Sequence, residues 1–241
     1  MREGEAKIIS NEQDVFPSGD PGARPATGPK AVKTVYIIRH GETDLNKNGI
    51  VQGRGMNTHL NELGRQQAEA FYQCYNHIPF DRIYTSTLRR THQTVKRFID
   101  DGIPWVQYAG LDELGWGIHE GQESTDELKS AFVQMMAGWR NGDVHLKFEN
   151  GESPMEVKER QLEVFEKLIE VNNDKNILIC MHGRAMRLFL CVLTGVPITE
   201  MDDFPHQNTT LYKLIYDGKK FSITEFNNID HLKNDKIIDG E

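Results

Sequence analysis

Val35-Tyr36-Ile37-Ile38-Arg39-His40-Gly41-Glu42-Thr43 is the stretch around which the chain is arranged. Its first four side chains are β-branched or aromatic, the composition of a buried strand. The apolar run then stops, and a permanent cation and an imidazole arrive together at Arg39 and His40. In an open α/β sheet, ligands bind outside the carboxyl ends of the strands, so both groups stand where chemistry is done. Gly41 has no side chain to obstruct the approach of a backbone or an anion. Glu42 and Thr43 add polar groups beside whatever binds.

Working outward, residues 177–181 form a second apolar run that ends in His182-Gly183. One histidine past a strand commonly does no more than bond a carbonyl. Two in the same local context, one of them beside an arginine, point to function. A third fragment, Ser86-Thr87-Leu88-Arg89-Arg90-Thr91, follows a short strand expected at 81–85 and opens a helix. Arginine in a first helical turn is electrostatically unfavourable, because the macrodipole prefers anions there. A bound phosphate resolves the conflict by accepting from the helix N–H groups and from the guanidinium together.

The rest of the chain supplies the frame. Asn61 caps a helix carrying Leu63, Ala68, Phe71, Tyr72 and Tyr75 at helical spacing. Ser86 is expected to cap a helix through Leu88, Val95, Phe98 and Ile99, and residues 105–107 to form a third strand. Ser124 with Glu127 predicts a helix to about Met136, and Ser153-Pro154-Met155-Glu156 a capped helix to about Asn172. The helix after His182 is closed by Gly195 and Pro197. Residues 210–216 and 221–226 flank Asp217-Gly218 as a hairpin with a four-residue connection. Strands alternating with helices predict an α/β fold, a three-layer sandwich. Its central sheet is largely parallel, with helices on both faces and a C-terminal antiparallel hairpin. The domain is expected over residues 34–232. Residues 1–33, interrupted by Pro17, Gly19, Pro21, Gly22, Pro25, Gly28 and Pro29, read as a flexible extension or leader, and 233–241 as a loose tail.

Composition narrows the function. With 241 residues the chain holds one or two domains, and a formal net charge of −8 argues against a nucleic-acid binder. A locally positive pocket for a small anion is still compatible with an acidic protein. Cys74, Cys180 and Cys191 are odd in number and include no Cys-x-x-Cys, so neither a disulfide framework nor a thiolate zinc site is indicated. Free thiols fit a cytoplasmic protein. The nine histidines show no His-x-His or His-Glu-x-x-His spacing, so no metal is expected. No Walker-type or G-x-G-x-x-G sequence is present, no cofactor is expected, and the apolar runs are too short to span a membrane.

Taken together, these motifs resemble those of the histidine phosphatase (phosphoglycerate-mutase-like) superfamily, over roughly residues 34–226. Arg39-His40-Gly41-Glu42-Thr43 fits its signature, and Asn46 and Gly53 fall at its phosphate-loop positions. Ser86-x-Leu88-x-Arg90 fits a second motif and makes Arg90, rather than Arg89, the phosphate ligand. Leu111-x-Glu113 with Gly117-x-x-Glu120-Gly121 fits a third, Gly151-Glu152-Ser153 a fourth, and His182-Gly183 the last. The resemblance implies a phosphatase working through a phosphohistidine. His40 would be the nucleophile, Arg39 and Arg90 the phosphate clamps, and Glu113 the acid, a role that needs a carboxyl pKa raised toward working pH. A protonated His182 would contact the equatorial oxygens. Gly41, Thr43, Asn46, Gly53, Gly183 and Arg184 would complete the binding site.

A phosphate monoester is nearly dianionic at neutral pH, its second pKa being about 6. Two arginines suit it, each able to make bidentate bonds. The expected partner is therefore a small phosphorylated metabolite, and the protein a monomer or homodimer. Two departures argue against the alternative of a phosphoglycerate mutase. Glu113 is followed by Leu114-Gly115-Trp116-Gly117 where mutases have Arg-His-Tyr-Gly, and Arg184 stands where they have Asn. Arg184 either reads a second anionic group or bonds a nearby acid. His119 and Thr91 also depart from the common Trp and Ala, and Trp116, His119 and Trp139 are candidates for the leaving-group side. A catalytically silent phosphate-binding module is the third reading, disfavoured by the intact set His40, Arg90, Glu113 and His182.

Overall fold

The computed structural model describes residues 32–170 and 173–234. Its strands are β1 (Lys33–Arg39), β2 (Arg82–Thr85), β3 (Trp105–Gln107), β4 (Asn176–Met181), β5 (Leu211–Tyr216) and β6 (Phe221–Asn228). They form one sheet in the order β3-β2-β4-β1-β5-β6. The β3, β2, β4 and β1 neighbours pair in parallel, and β5 and β6 add the antiparallel part. The helices are α1 (Asp44–Lys47), α2 (Glu62–Tyr75), α3 (Arg89–Thr94), α4 (Lys96–Asp100), α5 (Asp126–Arg140), α6 (Pro154–Glu170), α7 (Gly183–Thr194) and α8 (Asp230–Asn234).

The apolar runs are continuous because both faces of the central strands are covered. Val35 and Ile37 of β1 and Ile177, Ile179 and Met181 of β4 pack with Val157, Val164 and Leu168 of α6 and Leu188 and Phe189 of α7. The alternate residues Tyr36, Ile38, Leu178 and Cys180 pack on the other face with Phe71 of α2 and Val95 and Phe98 around α4. This is the expected three-layer α/β arrangement, with the hairpin at one edge. Among the described residues no helix is long and apolar enough to cross a membrane.

Local differences have local causes. The helix expected from Ser86 through Ile99 is two, broken at Val95, and its N-cap is Leu88. The Ser86 hydroxyl accepts from Leu88 N–H (3.1 Å) but is also committed to His182. Thr91 and Thr94 bond back to the carbonyls of Leu88 (2.8 Å) and Arg90 (2.7 Å), which bends a helix. The cap of α5 is Thr125 rather than Ser124, and α5 runs on to Arg140 because Trp139 is buried and donates to Leu146 O (2.9 Å). The Gly- and Asn-rich loop after β1 contains α1, closed by a reciprocal Thr43–Asn46 capping box. Among the described residues, regular structure runs from Lys33 to Asn234. The extension over residues 1–31, the tail over 235–241 and the expected end of α6 near Asn172 lie outside the described residues.

Helix α8 is held to α2 by His231, whose ring meets Phe71 edge-on at 5.3 Å and whose Nε2 lies 3.0 Å from Thr209 Oγ1. Burial pushes its pKa from 6.5 down to about 4. The unfolded chain therefore takes up a proton that the folded one refuses, and stability falls as pH drops below about 6.5 toward 4. The cost is about 1.4 kcal/mol per pH unit for this group. Thermal melts of His231→Gln between pH 7 and 4.5 are expected to show a shallower pH slope than wild type, by about one proton. Parallel slopes for the two proteins would rule His231 out as the titrating group.

Candidate active site

The register of β1 against β4 places Arg39 opposite Met181, so His40 and His182 leave the sheet side by side. His40 N–H donates to Met181 O (2.9 Å), and the two imidazole centroids are 5.2 Å apart. Thr85 pairs with Cys180, which sets Ser86 and the start of α3 at the same level. Both histidines are buried.

Hydrogen bonds assign the tautomers. Gly41 O only accepts, so the proton of His40 sits on Nδ1 (2.7 Å) and the lone pair on Nε2. A guanidinium only donates, so Arg90 Nε–H gives its proton to His182 Nδ1 (3.1 Å). His182 Nε2–H then donates to Ser86 Oγ (2.8 Å), and the Ser86 hydroxyl passes the chain to Thr91 Oγ1 (3.0 Å), which donates to Leu88 O. Burial first, then Arg90, hold both imidazoles well below the usual histidine range. His182 is thus neutral in this arrangement, in which no phosphoryl group faces it.

Arg90 has no exposed surface. It also donates to the carbonyls of Met56 (2.5 Å) and Gly53 (3.4 Å), and burial draws its pKa down to about 10. Arg39 Nη1 donates to His206 Nδ1 (3.3 Å), and burial followed by Arg39, Arg187 and Arg184 pushes His206 down to about 2. Two guanidiniums flanked by uncharged imidazoles make a locally positive site suited to an anion.

Glu113 caps α7 from outside the helix. Its Oε1 accepts from Leu114 N–H (2.8 Å) and Ala185 N–H (2.8 Å), and its Oε2 from Arg184 N–H (3.2 Å). The carboxyl therefore stands at the helix start beside His182-Gly183.

The glycines permit close packing. A Cβ on Gly41 would stand 2.5 Å from Gly64 O, and one on Gly183 2.5 Å from His206 Cε1. One on Gly53 would collide with Glu120 Oε1. Thr43 and Asn46 bond each other, and Asn46 Oδ1 also lies 3.4 Å from Asn208 Nδ2. That places both beside His40, whose carbonyl accepts from the same Asn208 amide (3.0 Å). The Arg184 guanidinium turns to Asp202 (2.5 Å), the acid-bonded alternative for this residue. Trp139 is core, Trp116 stacks on it at 6.0 Å, and His119 packs on Phe148 at 4.4 Å.

Sequence reasoning missed His206, Asn208 and Asp202. All three come from the segment between α7 and β5, where no spacing ties them to a motif. Ser86, read from the sequence as a helix cap and as part of the Ser-x-Leu-x-Arg motif, takes the His182 imidazole as well, a contact that neither reading named. Among the described residues, no group of three or more His, Cys, Asp and Glu side chains is placed to hold a metal ion.

Several proteins are similar to this chain over most of its length. A protein of Hydrogenobacter thermophilus provisionally assigned as phosphoserine phosphatase 2 is 27% identical over 203 residues, covering 84% of this chain and 98% of its own. A Yersinia pestis protein named probable phosphoglycerate mutase GpmB is 30% identical over 183 residues, covering 76% of this chain and 84% of its own. The solved structure of an Entamoeba histolytica phosphoserine phosphatase in complex with 3-phosphoglyceric acid superposes with a TM-score of 0.72 at 26% identity. It covers 83% of this chain and 99% of its own. The family model of the histidine phosphatase superfamily (branch 1) matches residues 35–229, and the chain belongs to that superfamily.

Proposed function

We propose that the chain is a phosphomonoester hydrolase that works through a phosphohistidine on His40, with Glu113 as proton donor. The observation that carries this reading is the pair of imidazoles at 5.2 Å, one with its Nδ1–H fixed on a carbonyl and its Nε2 lone pair left for attack. Neutral His40 Nε2 attacks phosphorus in line, the ester P–O bond breaks, and Glu113 gives the departing oxygen its proton. Water, deprotonated by Glu113, then attacks the phosphohistidine, and the N–P bond breaks to release phosphate. Arg39 and Arg90 hold the phosphoryl oxygens, each charge-assisted bond contributing on the order of 1.5–3 kcal/mol. The phosphoryl charge offsets the burial and the cations that keep His182 neutral here, so His182 takes up its proton as the dianion arrives.

Hydrolysis is favoured over mutase chemistry by two features. Leu114 after Glu113 is fully buried core, and Arg184 is bonded to Asp202. Rapid release of free phosphate, with negligible interconversion of 2- and 3-phosphoglycerate, is the expected behaviour. The substrate is a small phosphorylated metabolite, and the free thiols favour work in the cytoplasm.

His40→Ala is expected to lower turnover by at least about a thousandfold and to abolish an acid-labile protein-bound phosphate seen after rapid quench. Full labelling of that variant would remove His40 as nucleophile. Glu113→Gln is expected to slow alkyl phosphates by about 10²–10⁴ and aryl phosphates far less, because only the former need a proton on the departing oxygen. An equal loss on both substrates would count against the donor role.

A further inference from the structure

Both arginines of the phosphoryl pocket rest on the Nδ1 of a histidine. Arg90 Nε donates to His182 Nδ1 (3.1 Å), and Arg39 Nη1 donates to His206 Nδ1 (3.3 Å). The reaction uses His182 directly and His206 at no step. Burial, then the guanidiniums around it, keep His206 uncharged. Of those guanidiniums, Arg184 and Arg187 are turned to Asp202, so the His206 acceptor serves Arg39. A carboxylate in its place would hold the guanidinium but cancel its charge. An uncharged imidazole fixes the direction of the fork and leaves the charge for an incoming dianion.

The seat of His206 is built from two sides. Its ring lies against the start of α7, where a Cβ on Gly183 would stand 2.5 Å from Cε1 and 2.8 Å from Nε2. The glycine after the second histidine thereby makes room for this ring. The segment that carries the ring is tied down as well. Tyr212 Oη donates to Pro205 O (2.6 Å), Gln207 N–H donates to Thr210 Oγ1 (3.0 Å), and Thr210 N–H returns to Gln207 O (3.2 Å). Thr209 is fully buried with φ at 55°, its Oγ1 3.0 Å from His231 Nε2. A β-branched residue in the left-handed region is strained, and such strain persists where the surroundings over-determine it, as at ligand clamps. This turn delivers two groups at once, His206 to Arg39 and the Asn208 amide to the His40 carbonyl (3.0 Å). We infer that His206 is a positioning residue: seated on Gly183, it aims the Arg39 guanidinium at the phosphoryl group before substrate arrives. This rests on the phosphohydrolase reading above, in which Arg39 is a phosphate clamp.

Inorganic phosphate is the probe, its Kd measured by calorimetry and so independent of turnover. His206→Leu removes the acceptor at similar size and is expected to weaken binding about three- to tenfold, the cost of ordering one long side chain on binding. His206→Asn, whose Oδ1 falls where Nδ1 was, is expected to stay within about twofold of wild type. In an Arg39→Gln background the Leu substitution is expected to add less than about twofold, because no guanidinium is left to aim. With an ester that is turned over, the loss in His206→Leu falls on KM, with kcat within about twofold, since bound substrate has already ordered Arg39. Wild-type affinity in His206→Leu, equal losses in the Leu and Asn variants, or an undiminished loss in the Arg39→Gln background overturns the inference. So does a loss confined to kcat, and each of these leaves the hydrolase standing. Circular dichroism checks that each variant folds. If His206→Leu does not, His206→Gln takes its place, since its amide reaches the Nε2 position and leaves Nδ1 without a counterpart. If no ester is hydrolysed, the hydrolase reading fails, and the phosphate titrations still decide the role of His206.

Discussion

The parallel pairing of β1 with β4 is the constraint on which everything else in this molecule depends. Arg39 lies opposite Met181, and the chain leaves both strands at the next residue. Two histidines separated by more than a hundred residues in sequence thereby become neighbours. A slip of one residue would turn every side chain of β1 to the opposite face, and both faces are packed core, so the register is strongly specified. The geometry of the site inherits its precision from that packing, since Ile37 and Ile38 are fully buried in the two positions before Arg39.

The second organising fact is a buried excess of positive charge. Placing Arg90 out of water is costly, and the structure offsets the cost with carbonyls and a ring nitrogen instead of a carboxylate in contact. A carboxylate there would satisfy the cation but leave nothing for a phosphoryl group. The acids are kept a step away. Glu113 is turned to the helix start of α7, and Asp112 accepts from the N–H and hydroxyl of Thr87 (2.8 Å each). Arg160 joins the loops on this side, donating to the carbonyls of Gly110 (2.8 Å), Asp112 (2.9 Å) and Glu113 (3.0 Å) and to the Glu152 carboxylate. The acid is therefore held by its backbone as well as by its own oxygens.

Some features were legible because they are written locally. Four β-branched or aromatic residues before Arg39 announce a strand, and Asn61 and Ser153 announce helix starts through their own side chains. The hairpin around Asp217-Gly218 is fixed by its turn, where Asp217 Oδ1 accepts from Lys219 and Lys220 N–H. Ser86 shows the limit of such reading. As a sequence it is a good cap, but a buried imidazole from ninety-six residues away takes its hydroxyl, and the helix starts later. Long-range demand outcompeted local preference.

The sequence by itself determined the layer order, the strand ends and the residue types of the site, because period, caps and spacing are properties of neighbours along the chain. It also named His40, Arg90, Glu113 and His182 through motif order. Only the tertiary structure decided which nitrogen of each imidazole carries the proton, that His182 is neutral here, and that Arg184 shares Asp202 with Arg187 and Arg140. It also brought His206 against Arg39. These depend on burial and on donors that arrive from distant segments, and neither quantity exists until the chain is folded.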